Sequence, residues 1–244
     1  MGAERFFAAC LALALALGAC AAPAAPLIAA SDLDHPPFAF VDAAGEPRGF
    51  EVELVEELGS ALGRKVVWRR LPFGELLDAA AAGEVDLVAA TLGVTPERAR
   101  RVRFSRPYFH THIALVAAAG SPFDRPEDLA GRRVAFAAGT TAEDAVRRAL
   151  PAALPVALDK GESPAAVLAS GRAEAVAVDG PDVALLARGG AVAGLPFDLA
   201  DEDYALAFPP GAEALVAEID RLLEAWDADG RLWRSWSAHA STSE

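Results

Sequence analysis

The sequence predicts an α/β protein of two similar lobes, each a mostly parallel sheet flanked by helices. Two observations predict it. Strand-like and helix-like segments alternate after residue 26, and a β-α-β-α-β order implies a largely parallel sheet with helices on its faces. The order then recurs: residues 82–91 and 170–179 share one pattern of helix end, glycine, acid, apolar strand and polar terminus.

Leu27–Ala30 reads as a short apolar strand. In Glu51–Leu62, Leu54, Val55, Leu58 and Leu62 make a helical stripe, and Gly63 is the expected cap. Lys65–Arg69 is the next strand, Glu75–Ala82 a helix ending at Gly83, and Val85–Ala90 a buried strand. In the second half, Arg133–Phe136, Pro155–Leu158 and Ala175–Val178 are strands, with helices at Thr141–Ala149 and Ser163–Ala169. Glu143 and Asp144 fall in the first turn after Thr140 and Thr141, where the helix dipole favours acids. Ala212–Trp226 is a long amphipathic helix broken by Asp229-Gly230. Leu232, Trp233 and Trp236 then make a short helix, its aromatics expected to pack on the first lobe.

Residues 1–19 read as a secretion signal, with Arg5 before an apolar run from Phe6 to Leu17 that is too short to span a bilayer. Leu17-Gly18-Ala19-Cys20 looks like a lipobox, which predicts cleavage before Cys20 and a lipid on that residue; the other reading is an ordinary cleavage site. Residues 20–26, with two prolines and no periodicity, form a tether. Cys10 leaves with the signal, so the mature chain keeps Cys20 alone, excluding an internal disulfide and a cysteine metal site. A formal charge of −13 repels phosphate backbones and argues against nucleic acid as a partner.

In open α/β sheets, ligands bind beyond the carboxyl ends of the strands. The two matched strands end at Thr91 and Asp179, which would face one cleft between the lobes. Asp179, ahead of Gly180-Pro181, also reads as a helix N-cap. Thr95-Pro96-Glu97-Arg98 is a helix-start signal. Arg98 either turns back toward a carboxylate, as bidentate pairing favours, or joins Arg100, Arg101 and Arg103 on a solvated face. Gly139-Thr140-Thr141 opens a helix N-terminus suited to an anion, without the lysine of a phosphate-binding loop. His110 and His112 share a strand face, but no further ligands accompany them, and a polar hinge pair is the favoured reading over a metal site.

The whole body from Leu27 to Ser237 resembles the family 3 extracellular solute-binding proteins of bacterial ABC transporters. The resemblance rests on Pro37-Phe38-Ala39-Phe40, Gly49-Phe50-Glu51-Val52-Glu53-Leu54, Gly83-Glu84-Val85-Asp86-Leu87, Val94-Thr95-Pro96-Glu97-Arg98 and Val102-Arg103-Phe104-Ser105-Arg106-Pro107-Tyr108-Phe109. Asp128-Leu129-Ala130-Gly131, Gly139-Thr140-Thr141, Val176-Ala177-Val178-Asp179 and Ala228-Asp229-Gly230 with Trp233 and Trp236 continue it. It implies a two-lobed, type II periplasmic-binding-protein-like fold with the ligand cleft between the lobes, lobe 1 at 27–110 and 204–244 and lobe 2 at 111–203. The implied hinge runs through Tyr108–His112 and Asp203–Ala205.

By the same resemblance, Arg98 looks like the clamp on a ligand α-carboxylate, Thr141 a second carboxylate contact, and Asp179 the acid for the α-ammonium group. Phe73 looks like one wall of an aromatic sandwich, Thr91 a backbone carbonyl to the ammonium, and Asp32 a reader of the ligand's distal group. Three positions depart: Gly93 stands where many members place a hydroxyl, His35 where many place the second aromatic wall, and Ala137 where some place a polar reader. The implied function is a monomeric, lipid-anchored receptor that delivers a polar amino acid or similar zwitterion to an ABC permease after hinge closure. It implies no enzyme, no cofactor and no metal. The alternative is a secreted dehydratase of the same fold acting on a prephenate-type acid through Asp179.

Overall fold

Two five-stranded sheets divide the chain in a computed structural model that describes residues 24–159 and 161–242. The signal segment and Cys20 lie outside the described residues, as does most of the tether. In the first sheet, β1 (Leu27–Ser31) lies between β5 (Val66–Arg70) and β6 (Leu87–Val88), both parallel to it. A late strand, β13 (Ala207–Phe208), then adds antiparallel between β6 and β7 (Arg103–Phe104). A small antiparallel sheet of β2 (Asp34–His35), β3 (Ala39–Val41) and β4 (Pro47–Arg48) carries the loop between β1 and the first helix.

The second sheet has the order β10 (Leu154–Ala157), β9 (Arg133–Phe136), β11 (Ala175–Asp179), β8 (Phe109–Ala118), β12 (Val192–Tyr204). Its first three strands are parallel, and β8 and β12 are antiparallel additions. Each sheet is therefore mixed rather than uniformly parallel.

The helices follow the periodicity closely. The expected Glu51–Leu62 helix is α1 (Phe50–Ala61), and Glu75–Ala82 is α2 (Phe73–Ala81). Then come α3 (Thr141–Ala149), α4 (Pro164–Ala169, capped by the Ser163 hydroxyl) and α5 (Gly180–Ala187). The chain ends with α6 (Glu213–Ala228) and α7 (Arg231–Thr242). The helix expected from Thr95-Pro96 is only a 3-10 turn over Arg98–Arg100, with the Thr95 hydroxyl accepting the Arg98 N–H. The Val85–Ala90 run is strand only at Leu87–Val88, although every residue from Leu87 to Ala90 is buried.

Separate apolar cores lie beneath the two sheets. Leu27, Phe38, Phe50, Leu58 and Leu87 build one, and Ile219, Leu223 and Trp226 of α6 return to it with Phe208 of β13. Ile113, Leu115, Val134, Phe136, Val146 and Ala177 build the core of the second sheet. Trp236 stacks on Phe38 with centroids 4.6 Å apart, as expected of a docked C-terminal helix. Trp233 corrects that expectation for itself: it is 70 % exposed.

Strands β8 and β12 join the two halves. Tyr204 pairs with Phe109, Asp203 with His110, and Glu202 with Thr111. Phe109 and Tyr204 pack into the first core, whereas Ile113, four pairs along, belongs to the second. Two adjacent extended strands thus carry the chain from one core to the other.

Candidate functional site

The carboxyl ends of the strands from both sheets face a cavity of about 710 Å³. Asp32, His35, Phe73, Thr91 and Arg98 line it from the first half, and Thr141 and Asp179 from the second. Seven of the eight ligand-binding positions inferred from sequence therefore share one space, and Gly93 does not line it.

Arg98 is brought inward by the 3-10 turn, away from the solvated face that its arginine neighbours suggest. Its Nη1 donates to Gly93 O at 2.9 Å and its Nη2 to Gly139 O, across the cleft, at 3.2 Å. The guanidinium carbon lies 5.9 Å from the Phe73 ring centroid, so the aromatic wall and the cation form one unit. Burial disfavours its charge, and the acids Glu202, Asp144 and Glu97 offset that. A guanidinium has five N–H donors, so donors remain for a carboxylate.

Asp179 closes β11 on the opposite wall. The N-cap reading needs correction: its side chain makes no capping bond to α5 and instead accepts the Tyr204 hydroxyl at 2.6 Å. Burial raises its pKa, while His35 and Tyr204 favour the charged form. A half-buried carboxylate facing an open cavity is suited to a ligand ammonium group.

His35 spans the mouth. Its Nδ1 lies 2.9 Å from Thr91 Oγ1, and its Nε2 lies 3.2 Å from Asp182 of α5. Burial pulls its pKa down, but the Asp182 carboxylate, with Asp179 and Glu51, pushes it up to about 9. His35 is thus an imidazolium in an ion pair between the halves.

Thr91 sits at φ 44°, the left-handed region that β-branched residues avoid. Its N–H donates to Glu51 Oε1 at 2.7 Å, and that same oxygen accepts the Tyr108 hydroxyl. Burial pushes the Glu51 carboxyl up to about 7 despite these donors. Glu51 anchors the strained turn from beneath.

Thr141 opens α3 without capping it; its hydroxyl donates to Glu202 Oε1. Gly93 is held small by the same carboxylate, since a Cβ there would lie 2.2 Å from Glu202 Oε1. The missing hydroxyl at position 93 therefore does not leave a vacant notch. Asp32 also has a pKa raised by burial and faces the cavity with Asp34. Ala137 lines the wall as a small residue.

Comparison with known proteins agrees with this architecture. The sequence profile of the bacterial extracellular solute-binding proteins, family 3, matches residues 27–236. The chain belongs to this family. A glutamine-binding protein of an ABC transporter in Bacillus subtilis is 26% identical over 204 residues, covering 80% of this chain and 74% of that protein. A probable histidine-binding protein of Neisseria gonorrhoeae is 28% identical over 243 residues, covering 92% and 91%. Among solved structures, the ancestral amino acid-binding protein AncCDT-1, a precursor of cyclohexadienyl dehydratase, superposes with a TM-score of 0.79. It is 28% identical, with 88% of this chain and 95% of that one covered.

As a family 3 solute-binding protein, the chain is a binding protein rather than an enzyme; its matched curated relatives include binding proteins of ABC transporters. Membership also makes it an exported protein. The two histidines face acids of β12: His110 pairs with Asp203 at 2.5 Å and His112 with Asp198 at 3.5 Å. Among the described residues no group of three or more metal-ligating side chains comes together.

Sequence reasoning missed Glu51, Asp182 and Glu202. Glu51 was legible, because it lies three and four residues before Leu54 and Val55, on the buried stripe itself. Glu202 was hidden in Asp201-Glu202-Asp203, a run that reads as a solvated face.

Proposed function

We propose that this protein is the receptor of an amino-acid ABC importer, closing its two lobes on a zwitterion held by Arg98 and Asp179. The observation that carries the reading is one cavity with a guanidinium on one wall and a half-buried carboxylate on the other. Neither lobe alone satisfies both ends of the ligand, so the ligand supplies the free energy that favours closure. The backbone N–H groups opening α3 at Thr141 assist with the carboxylate, and Phe73 packs on the side chain. Asp32, Asp34, Glu162 and Asp182 also line the cavity, against Arg70 and His35 as further cations. That excess of acids favours a cationic or strongly hydrogen-bonding side chain.

Lobe 1 is assigned to 27–110 and 204–244 and lobe 2 to 111–203, supported by the change of core along β8 and β12. Cys20 is the lipid attachment point, the protein acts as a monomer, and its membrane contact is the lipid anchor alone. A Cys20→Ala variant should leave the membrane fraction; unchanged fractionation would refute the anchor.

A thermal-shift screen of the amino acids, with prephenate as a further arm, tests the function. A raised melting temperature with an amino acid and no turnover of prephenate is expected. Turnover of prephenate, or no shift with any amino acid, would overturn the reading.

A further inference from the structure

Glu202 stands behind the carboxylate clamp. It is 7 % exposed, its Oε1 accepts the Thr141 hydroxyl, and its Oε2 has no hydrogen-bond partner among the described residues. The backbone makes room for it: a Cβ on Gly93 would meet Glu202 Oε1 at 2.2 Å and Thr141 Cγ2 at 2.8 Å. Thr141 and Arg98 are the two groups assigned above to the ligand carboxylate, and Glu202 interacts electrostatically with Arg98. The protein thus holds a carboxyl group of its own beside the place where a second one must enter. Two carboxylates sharing one buried site do not both stay charged.

We propose that Glu202 is the proton-accepting partner of the carboxylate clamp, so that an amino acid binds at Arg98 together with one proton taken from solvent onto Glu202. The inference rests on the amino-acid reading above. The balance is simple: a proton leaves water or buffer and bonds to the Glu202 carboxylate, and no other covalent bond changes. Glu202 rather than Asp179 takes it, because Asp179 gains the ligand ammonium as a neighbour while Glu202 gains an anion.

The surrounding groups leave Glu202 able to respond. Burial and Asp179 of β11 disfavour its charge, while Thr141, Arg98 and His35 favour it, and the balance lies at about 7. Asp144 and Arg148 of α3 and the flanking Asp201 and Asp203 face it across a smaller pocket of about 280 Å³. His110 and His112 pair with Asp203 and Asp201 along β8. Tyr108 and Tyr204 are the remaining titratable neighbours, and both are held protonated by burial.

Calorimetry with L-arginine, L-glutamine and L-histidine, in phosphate and in Tris just above neutral pH, tests the coupling. For whichever binds, the heat should depend on the buffer in the sense of proton uptake, up to about one proton per ligand. Affinity should fall by up to about tenfold per pH unit above neutrality. Glu202→Gln should still bind but lose both dependences. Agmatine, which lacks the carboxylate, should show no uptake on the wild-type protein. Buffer-independent binding by the wild type, equal uptake in Glu202→Gln, or equal uptake with agmatine would each overturn the inference. The wild-type and agmatine arms decide it even if the variant does not fold. Absence of binding by all three amino acids would instead refute the amino-acid reading on which it stands.

Discussion

Glu51 shows how a single buried acid shapes the cleft. Its Oε1 receives the Thr91 N–H and the Tyr108 hydroxyl, and so holds Thr91 at a positive φ above the cavity. Glu51→Ala would strand both donors, and the loss of two buried partners is worth about 1–3 kcal/mol each. A lower midpoint in urea unfolding is therefore expected, with Glu51→Gln milder because it keeps an acceptor. A wild-type midpoint in Glu51→Ala would contradict that role. The residue was readable from its place on the α1 stripe, whereas Glu202 was not, since strand alternation within three consecutive acids gives no outward sign of which one turns inward.

At the scale of elements, the interlobe contacts decide how the cleft opens. His35 of β2 and Asp182 of α5 form an ion pair across the mouth, and Arg98 reaches Gly139 O beside it. Asp182→Asn leaves the half-buried imidazolium without its strongest partner. The ligand-free variant should show a larger radius of gyration by small-angle scattering than the wild type; an unchanged radius would refute the latch. The C-terminal helices add a second case. Trp236 stacks on Phe38 and contacts Phe50 and Phe109, so Trp236→Ala should destabilise the protein by about 3–5 kcal/mol, read by thermal unfolding. Trp233→Ala should have little effect. Helical periodicity placed both tryptophans on α7 but could not tell them apart, because docking depends on the partner core. The start signal at Thr95-Pro96 leads only to a 3-10 turn at Arg98–Arg100, since such a signal says nothing about length.

Across the whole molecule, three buried or half-buried groups, Glu51, Glu202 and His35, are shifted upward. Glu51 and Glu202 are raised from 4.5 to about 7, so their contribution to stability is present below 4.5 and is lost as pH rises through about 7. His35 is raised from 6.5 to about 9, so its contribution is present below 6.5 and is lost as pH rises through about 9. The surface acids Asp42, Asp128, Glu143 and Glu213 are lowered, so their smaller contributions disappear only in acid. The ligand-free protein should therefore melt highest near about pH 5 and progressively lower toward pH 9. A flat profile from pH 5 to 9 would contradict these assignments.

The two-lobed plan was legible from the repeated β-α order and the matched segments ending at Thr91 and Asp179. The antiparallel strands β8, β12 and β13 were not, because their partners lie far away in sequence. The central claim is a zwitterion trapped between Arg98 and Asp179. Calorimetric titration of the wild type, Arg98→Ala and Asp179→Ala with one amino acid that shifts the wild-type melting temperature tests it most directly. Each variant is predicted to bind at least about tenfold more weakly, or about 1.4 kcal/mol. Wild-type affinity in either variant would contradict the account.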